Sequence, residues 1–158
     1  LNKSGYSAYN SLQVDSVFLF RGHGNKSRIA FFTSTGQPNG RIRANTADFD
    51  PYYSGTEYAI SSLPANALCK AKCVLYVGCS TGLSYNNHNL VQTTFDKGAH
   101  FVLGTKKDIL TIFGDAWTKC FFQGVKDRAA ILMCLRYANA SLGTNDIYYV
   151  GDVFQIIG

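Results

Sequence analysis

A histidine and a cysteine stand at matching places behind two apolar blocks of this chain. His23 follows Val17-Phe18-Leu19-Phe20-Arg21-Gly22 and precedes Gly24, while Cys79 follows Cys73-Val74-Leu75-Tyr76-Val77-Gly78 and precedes Ser80-Thr81-Gly82. A cysteine attacks acyl carbon as its thiolate, and an imidazole within hydrogen-bond reach favours that form. The two residues lie 56 positions apart in sequence, so only the fold can join them.

Short continuous apolar runs closed by glycine read as strands covered on both faces, the pattern of a parallel sheet. Parallel strands release their chain at one edge of the sheet, where the ligand sites of open α/β folds lie. If the two blocks are neighbours, His23 and Cys79 emerge side by side. Gly78 and Gly82 allow a sharp turn around the cysteine, and a glycine after the histidine lets the main chain pass close to a substrate. A helix starting behind the cysteine loop would further favour a thiolate.

The remaining elements follow from periodicity and turn chemistry. Residues 28–33 and 41–43 flank the turn cluster Thr35-Gly36-Gln37-Pro38-Asn39-Gly40 and predict a hairpin arm. Residues 45–64, polar and aromatic with Asp50-Pro51 and Ser54-Gly55, predict a long loop of the kind that shapes specificity. A loop with Tyr85, Asn86, Asn87 and His88 leads to a helix over 89–97, with Gly98 as left-handed cap, and then to a buried strand over 99–105. Ile109, Ile112, Phe113, Ala116, Trp117, Cys120 and Phe121 form one face of a helix over 108–122. A second helix runs from Asp127 as amino-terminal cap through Ile131, Cys134, Leu135, Ala138 and Leu142 to Gly143. Residues 147–150 and 153–157 read as strands, with Gly151-Asp152 as the kink between them.

Composition bounds the function classes. The 158 residues, 46% of them apolar, suit a single domain over 1–158. No apolar run approaches the roughly 20 residues of a membrane span. The net charge of +5 is scattered, with only Arg41/Arg43 and Lys106/Lys107 close together, so no nucleic-acid partner is expected. Five cysteines leave at least one thiol free or paired elsewhere. Cys120 and Cys134 read as small buried hydrophobes. The few charges suit a secreted or surface protein and the free thiols a cytoplasmic one, so the compartment stays open. The opening Leu1-Asn2-Lys3-Ser4-Gly5 suggests a fragment or processed piece of a longer chain.

The two blocks together, hydrophobic run then His-Gly and hydrophobic run then Gly-Cys, resemble the caspase-like cysteine peptidase group of caspases, legumains, gingipains, clostripain, separases and CHAT domains. Phe95-Asp96-Lys97-Gly98-Ala99-His100-Phe101-Val102-Leu103-Gly104-Thr105 is similar to the helix–Gly-Ala–strand segment of CHAT domains and gingipains. The resemblance spans roughly residues 17–158. It implies an α/β fold, a three-layer α/β/α sandwich around a mostly parallel sheet, and a cysteine endopeptidase acting through a thioester. In that reading His23 is the general base, Cys79 the nucleophile, and the backbone amides of Gly24 and Cys79 the oxyanion hole; no cofactor is needed. The group carries further strands before the histidine strand. Their absence here implies an upstream segment or second chain completing the sheet, beside a peptide or protein substrate. The position two before the cysteine, acidic in legumains and clostripain and glutamine in caspases, is Val77, so neither basic nor aspartate specificity follows. Asp48, Asp50 and Glu57 in the long loop, with Lys106 and Asp108, are further candidates for the substrate pocket.

Other readings use the same residues. A caspase-like domain can be a catalytically silent interaction module. Gly78-Cys79-Ser80-Thr81-Gly82 could cradle phosphate, although it lacks a Gly-Lys-Ser/Thr ending. His23, Cys69, Cys73, Cys79 and His88 could hold a metal, although Cys69 and Cys73 have no matching second pair. His88 is an alternative base that reads as a solvated loop residue, and His100 as a structural residue opening a strand.

Overall fold

The computed structural model describes residues 4–142 and 146–157. In chain order the elements are α1 (Gly5–Val14), β1 (Val17–Gly22), β2 (Gly24–Asn25), β3 (Arg28–Phe32), β4 (Pro38–Arg43), β5 (Glu57–Ala59), β6 (Cys73–Gly78), β7 (Ser84–Tyr85), β8 (His88–Asn89), α2 (Leu90–Asp96), β9 (Phe101–Thr105), α3 (Thr111–Lys126), α4 (Ile131–Leu142) and β10 (Ile147–Gly151). The result is a mixed α/β molecule.

All six residues of β6 are buried, as a continuous apolar run requires, and β6 is an inner strand of a sheet ordered β1-β6-β9-β10. It pairs in parallel with both β1 and β9, while β10 closes the far side antiparallel. Strand alternation divides the core in two. Phe18, Phe20, Val74, Tyr76 and Val102 point to one face, where they pack with Ala8 and Leu12 of α1 and Leu90 and Val91 of α2. Cys73, Leu75, Val77, Phe101 and Leu103 point to the other, against Trp117 and Phe121 of α3 and Ile131, Cys134, Leu135 and Ala138 of α4.

The hairpin arm is present as β3 and β4, which join β2 and β5 in a second sheet ordered β2-β3-β4-β5. Residues 45–64 are more ordered than a loop. They hold two single 3-10 turns, Thr46–Asp48 and Ile60–Ser62, and strand β5, which pairs in parallel with β4. Helix α1 matches no sequence expectation. Ser4 caps it by accepting from Ser7 N–H at 3.1 Å, and Ala8 and Leu12 bury the one narrow stripe it offers.

The carboxy-terminal half corrects several boundaries. Helix α3 begins at Thr111 and continues to Lys126, with Gly114, Trp117, Phe121 and Gly124 as its buried stripe. Ile112, expected on that face, is exposed, because the stripe follows the small residues that let α3 approach β6 and α4 closely. Asp127 caps the carboxyl end of α3 and does not start the next helix. Arg128 then takes φ +56, and α4 opens at Ile131. Gly143, the expected end of that helix, lies outside the described residues. Gly98 does adopt φ +104 behind α2. Residues 153–157 form no strand beyond a bridge from Ile156 to Ala130.

Candidate functional site

Strands β1 and β6 pair residue for residue from Val17↔Cys73 to Gly22↔Gly78. His23 and Cys79 are therefore the residues that follow the ends of two adjacent parallel strands. The approach is close. A Cβ on Gly78 would lie 2.7 Å from the Gly22 carbonyl oxygen, and one on Gly24 would lie 2.5 Å from Thr81 Cγ2 and 3.4 Å from the Cys79 carbonyl oxygen. Any side chain at these positions would push the histidine and cysteine segments apart.

The cysteine turn is held from below. Thr81 is fully buried; its Oγ1 lies 2.6 Å from the Tyr76 carbonyl oxygen and 3.1 Å from that of Gly78, and accepts the Thr105 N–H at 3.1 Å. Thr105 Oγ1 also donates to the Gly78 carbonyl. Ser80 takes a left-handed φ of +54, which a serine adopts only when its surroundings fix it. Its N–H donates to the Lys107 carbonyl at 3.1 Å and its hydroxyl to Asp108 Oδ1 at 2.9 Å. Residues 106–110 thus clamp the turn that carries Cys79.

His23 is exposed, its main-chain carbonyl accepts from Ala30 N–H at 2.9 Å, and its ring meets Phe32 edge-on at 5.5 Å between centroids. The half-buried Cys79 thiol donates to the Ile109 carbonyl at 3.7 Å. The backbones are juxtaposed, and no hydrogen bond joins the two side chains. An imidazole at an open strand end can turn, and catalytic hydrogen bonds commonly tighten only with substrate bound. The helix expected behind the cysteine is not at hand. Helix α2 starts only at Leu90, and the Asn89 side chain already accepts from Val91 and Gln92 N–H at 2.9 and 3.1 Å.

Four of the six expected pocket residues, Val77, Asp50, Lys106 and Asp108, fall in three places. Val77 and Asp108 border an apolar cavity of about 340 Å³ walled by Leu103, Ile109, Phe113 and Trp117. Asp50 borders an open groove with Arg28, Ser80, Tyr85 and again Asp108, next to the cysteine turn. Lys106 lies with His88 and Tyr148 along a different groove.

Asp48 and Glu57 border none of these and are not solvated, their side chains being 0% and 4% exposed. Glu57 faces Arg43 at 3.4 Å and Arg41 at 3.9 Å, and Arg41 also bonds Asp50 at 2.7 Å. That guanidinium, with the Tyr52 N–H, holds the Asp50 carboxyl below its ordinary pKa. His88 corrects its solvated reading, since its Nδ1 sits 2.8 Å from Asp48 Oδ1 in the same charged cluster.

Sequence reasoning missed Ser80, Thr81 and Thr105. Their signal was a hydroxyl ending each buried strand or opening its turn, where an apolar run gives way to a group that can satisfy strand-end carbonyls. The residues weighed for a metal do not gather; among the described residues no three His, Cys, Asp or Glu side chains form a metal-holding group. Nor are the amides of residues 80–83 free for a phosphate, because Ser80, Thr81, Gly82 and Leu83 N–H all donate to carbonyls of the chain. No described helix is long and apolar enough to cross a membrane. Against family models, curated proteins and solved structures the chain finds no match.

Proposed function

We propose that this chain is a caspase-like cysteine endopeptidase domain, with the β1-β6-β9-β10 sheet as the middle of a three-layer sandwich. The observation that carries this reading is the parallel pairing of β1 with β6 up to Gly22↔Gly78, which leaves His23 and Cys79 on adjacent strand ends. With a peptide bound, His23 takes the thiol proton and Cys79 sulfur attacks the carbonyl carbon. The backbone N–H groups of Gly24 and Cys79 receive the oxyanion. His23 then gives the proton to the departing amine, and water hydrolyses the thioester with His23 as base. Strand β1 pairs on one side only among the described residues, and a strand from an upstream segment or second chain would cover its open edge.

One observation favours a second reading, a silent interaction module: the His23 ring rests on Phe32 and the Cys79 thiol on the Ile109 carbonyl. Labelling with a panel of peptidyl acyloxymethyl ketones, read by mass spectrometry, separates the two. Cys69 is exposed and serves as an internal control for general thiol reactivity. The peptidase reading expects Cys79 to be modified faster than Cys69, the modification to slow at least about tenfold in His23→Ala, and peptide hydrolysis to vanish in Cys79→Ala. Equal labelling of Cys69 and Cys79, unchanged in His23→Ala, would favour the silent module.

A further inference from the structure

Beside the proposed nucleophile lies a cavity with a definite chemical character. Val77 forms part of its wall, on the side of β6 that packs with Trp117, and is two residues before Cys79. The Cys79 thiol itself rests on the carbonyl of Ile109, a second wall residue. The reactive sulfur and the cavity are therefore separated by one layer of chain. Leu103, Phe113, Trp117 and Ile147 complete the apolar lining.

Polar groups at the cavity are already engaged with one another. Lys107 Nζ pairs with Asp146 Oδ2 at 2.9 Å, and Asp108 Oδ1 accepts from Ser80. The indole N–H of Trp117 donates to Asn139 Oδ1 at 3.0 Å, away from the space. A carboxylate entering would find the Lys107 ammonium already paired with Asp146, and a guanidinium would find only the exposed Asp108 carboxylate, so either would lose hydration against largely apolar walls, which is costly. A hydrocarbon or ring would release water from apolar walls. The volume of about 340 Å³ falls in the range of ligand sites.

We infer that this cavity receives the substrate side chain next to the scissile bond and that it selects large apolar residues, phenylalanine or leucine, over arginine and aspartate. The inference rests on the peptidase reading for its orientation but can be tested without catalysis. Trp117 is the single tryptophan of the chain and lines the cavity, so its emission reports occupancy. Acetyl-Ala-Ala-X-amides with X as Phe, Leu, Arg or Asp would be titrated into Cys79→Ala, and the matching acyloxymethyl ketones reacted with the unsubstituted chain.

The expected result is a saturable emission change with Phe and Leu peptides, at least about tenfold weaker with Arg and Asp, and the same order in Cys79 labelling. Phe113 is 50% exposed at the mouth, so Phe113→Lys should keep the fold while removing the preference for Phe. Faster labelling by the Arg or Asp ketone would overturn the inference and leave the peptidase reading intact. No emission change with any peptide would also overturn it. A Phe-selective emission change without any labelling of Cys79 would remove the peptidase reading and retain the cavity as an apolar side-chain site.

Discussion

Gly24 and Thr81 show how the site depends on one missing methyl group. The histidine segment can cross the cysteine turn only because Gly24 has no Cβ; a methyl there would sit 2.5 Å from Thr81 Cγ2, within any allowed contact distance. Thr81 cannot step aside, since its hydroxyl is bound to the Tyr76 and Gly78 carbonyls and to the Thr105 N–H. Gly24→Ala should therefore cost about 1–3 kcal/mol through overpacking. Thr81→Ser deletes the offending Cγ2 and keeps the hydroxyl. In urea unfolding the double variant should lose less than the sum of the two single losses, because the sites touch. Strict additivity would mean that the two segments are not in contact and that β1 and β6 part before His23 and Cys79. The contact also separates what was legible from what was not. His23 and Cys79 stand out as rare residue types beside glycines after apolar runs, whereas Thr81 looks like any turn residue until the crossing chain is seen.

At the scale of elements, the second sheet is built around charge. Arg28, Arg41 and Arg43 come from β3 and β4, Glu57 from β5, and Asp48 and Asp50 from the segment between. Sequence reasoning placed residues 45–64 in a loop on their polar, aromatic make-up and the breakers Asp50-Pro51 and Ser54-Gly55, and β5, three residues that begin with a carboxylate, offers no apolar run against that reading. That carboxylate is a reason the strand exists, since it meets the arginines of β4. Helix α1 was hidden in the same way: its buried stripe is Gly5, Ala8 and Leu12, with a single large apolar side chain, and tertiary packing rather than amphipathicity fixes it. The long apolar elements, β1, β6, β9 and the α3–α4 pair, were readable because their periods are strong. The charge cluster predicts a pH response. Folding lowers the Asp50 pKa below its ordinary 3.8, chiefly through the Arg41 hydrogen bond, so the folded form binds fewer protons there than the unfolded one. Its contribution is fully present above 3.8 and fades as pH falls through the lower folded value. Asp50→Asn should be less stable than the parent near neutral pH, with the gap closing below about pH 4. A gap that stayed constant in urea midpoints across that window would show that Asp50 is not held by Arg41 in solution.

For the molecule as a whole, the five thiols report which layers open together. Cys69 is exposed, Cys79 and Cys120 are half-buried, and Cys73 and Cys134 are buried. Cys73 lies on the inner strand β6 and Cys134 on α4, and both belong to the core between the sheet and the α3–α4 pair. Burial raises the pKa of both thiols, so the reactive thiolate is scarce in the closed state. A Cβ on Gly124 of α3 would lie 2.9 Å from Cys134 Sγ, so α3 and α4 pack in close contact, and residues of both share the core that holds Cys73. Cys73 and Cys134 should therefore resist iodoacetamide in the native protein and become reactive together, along the same urea profile as global unfolding. Cys69 should react from the outset. Peptide mapping of alkylated cysteines over a urea series measures this directly. If Cys134 reacted well before Cys73, the α3–α4 layer would detach from the sheet as a separate unit. The cavity between Val77 and Trp117 would then open and close with that layer, so apolar peptides that occupy it would shift Cys134 protection back toward the global transition.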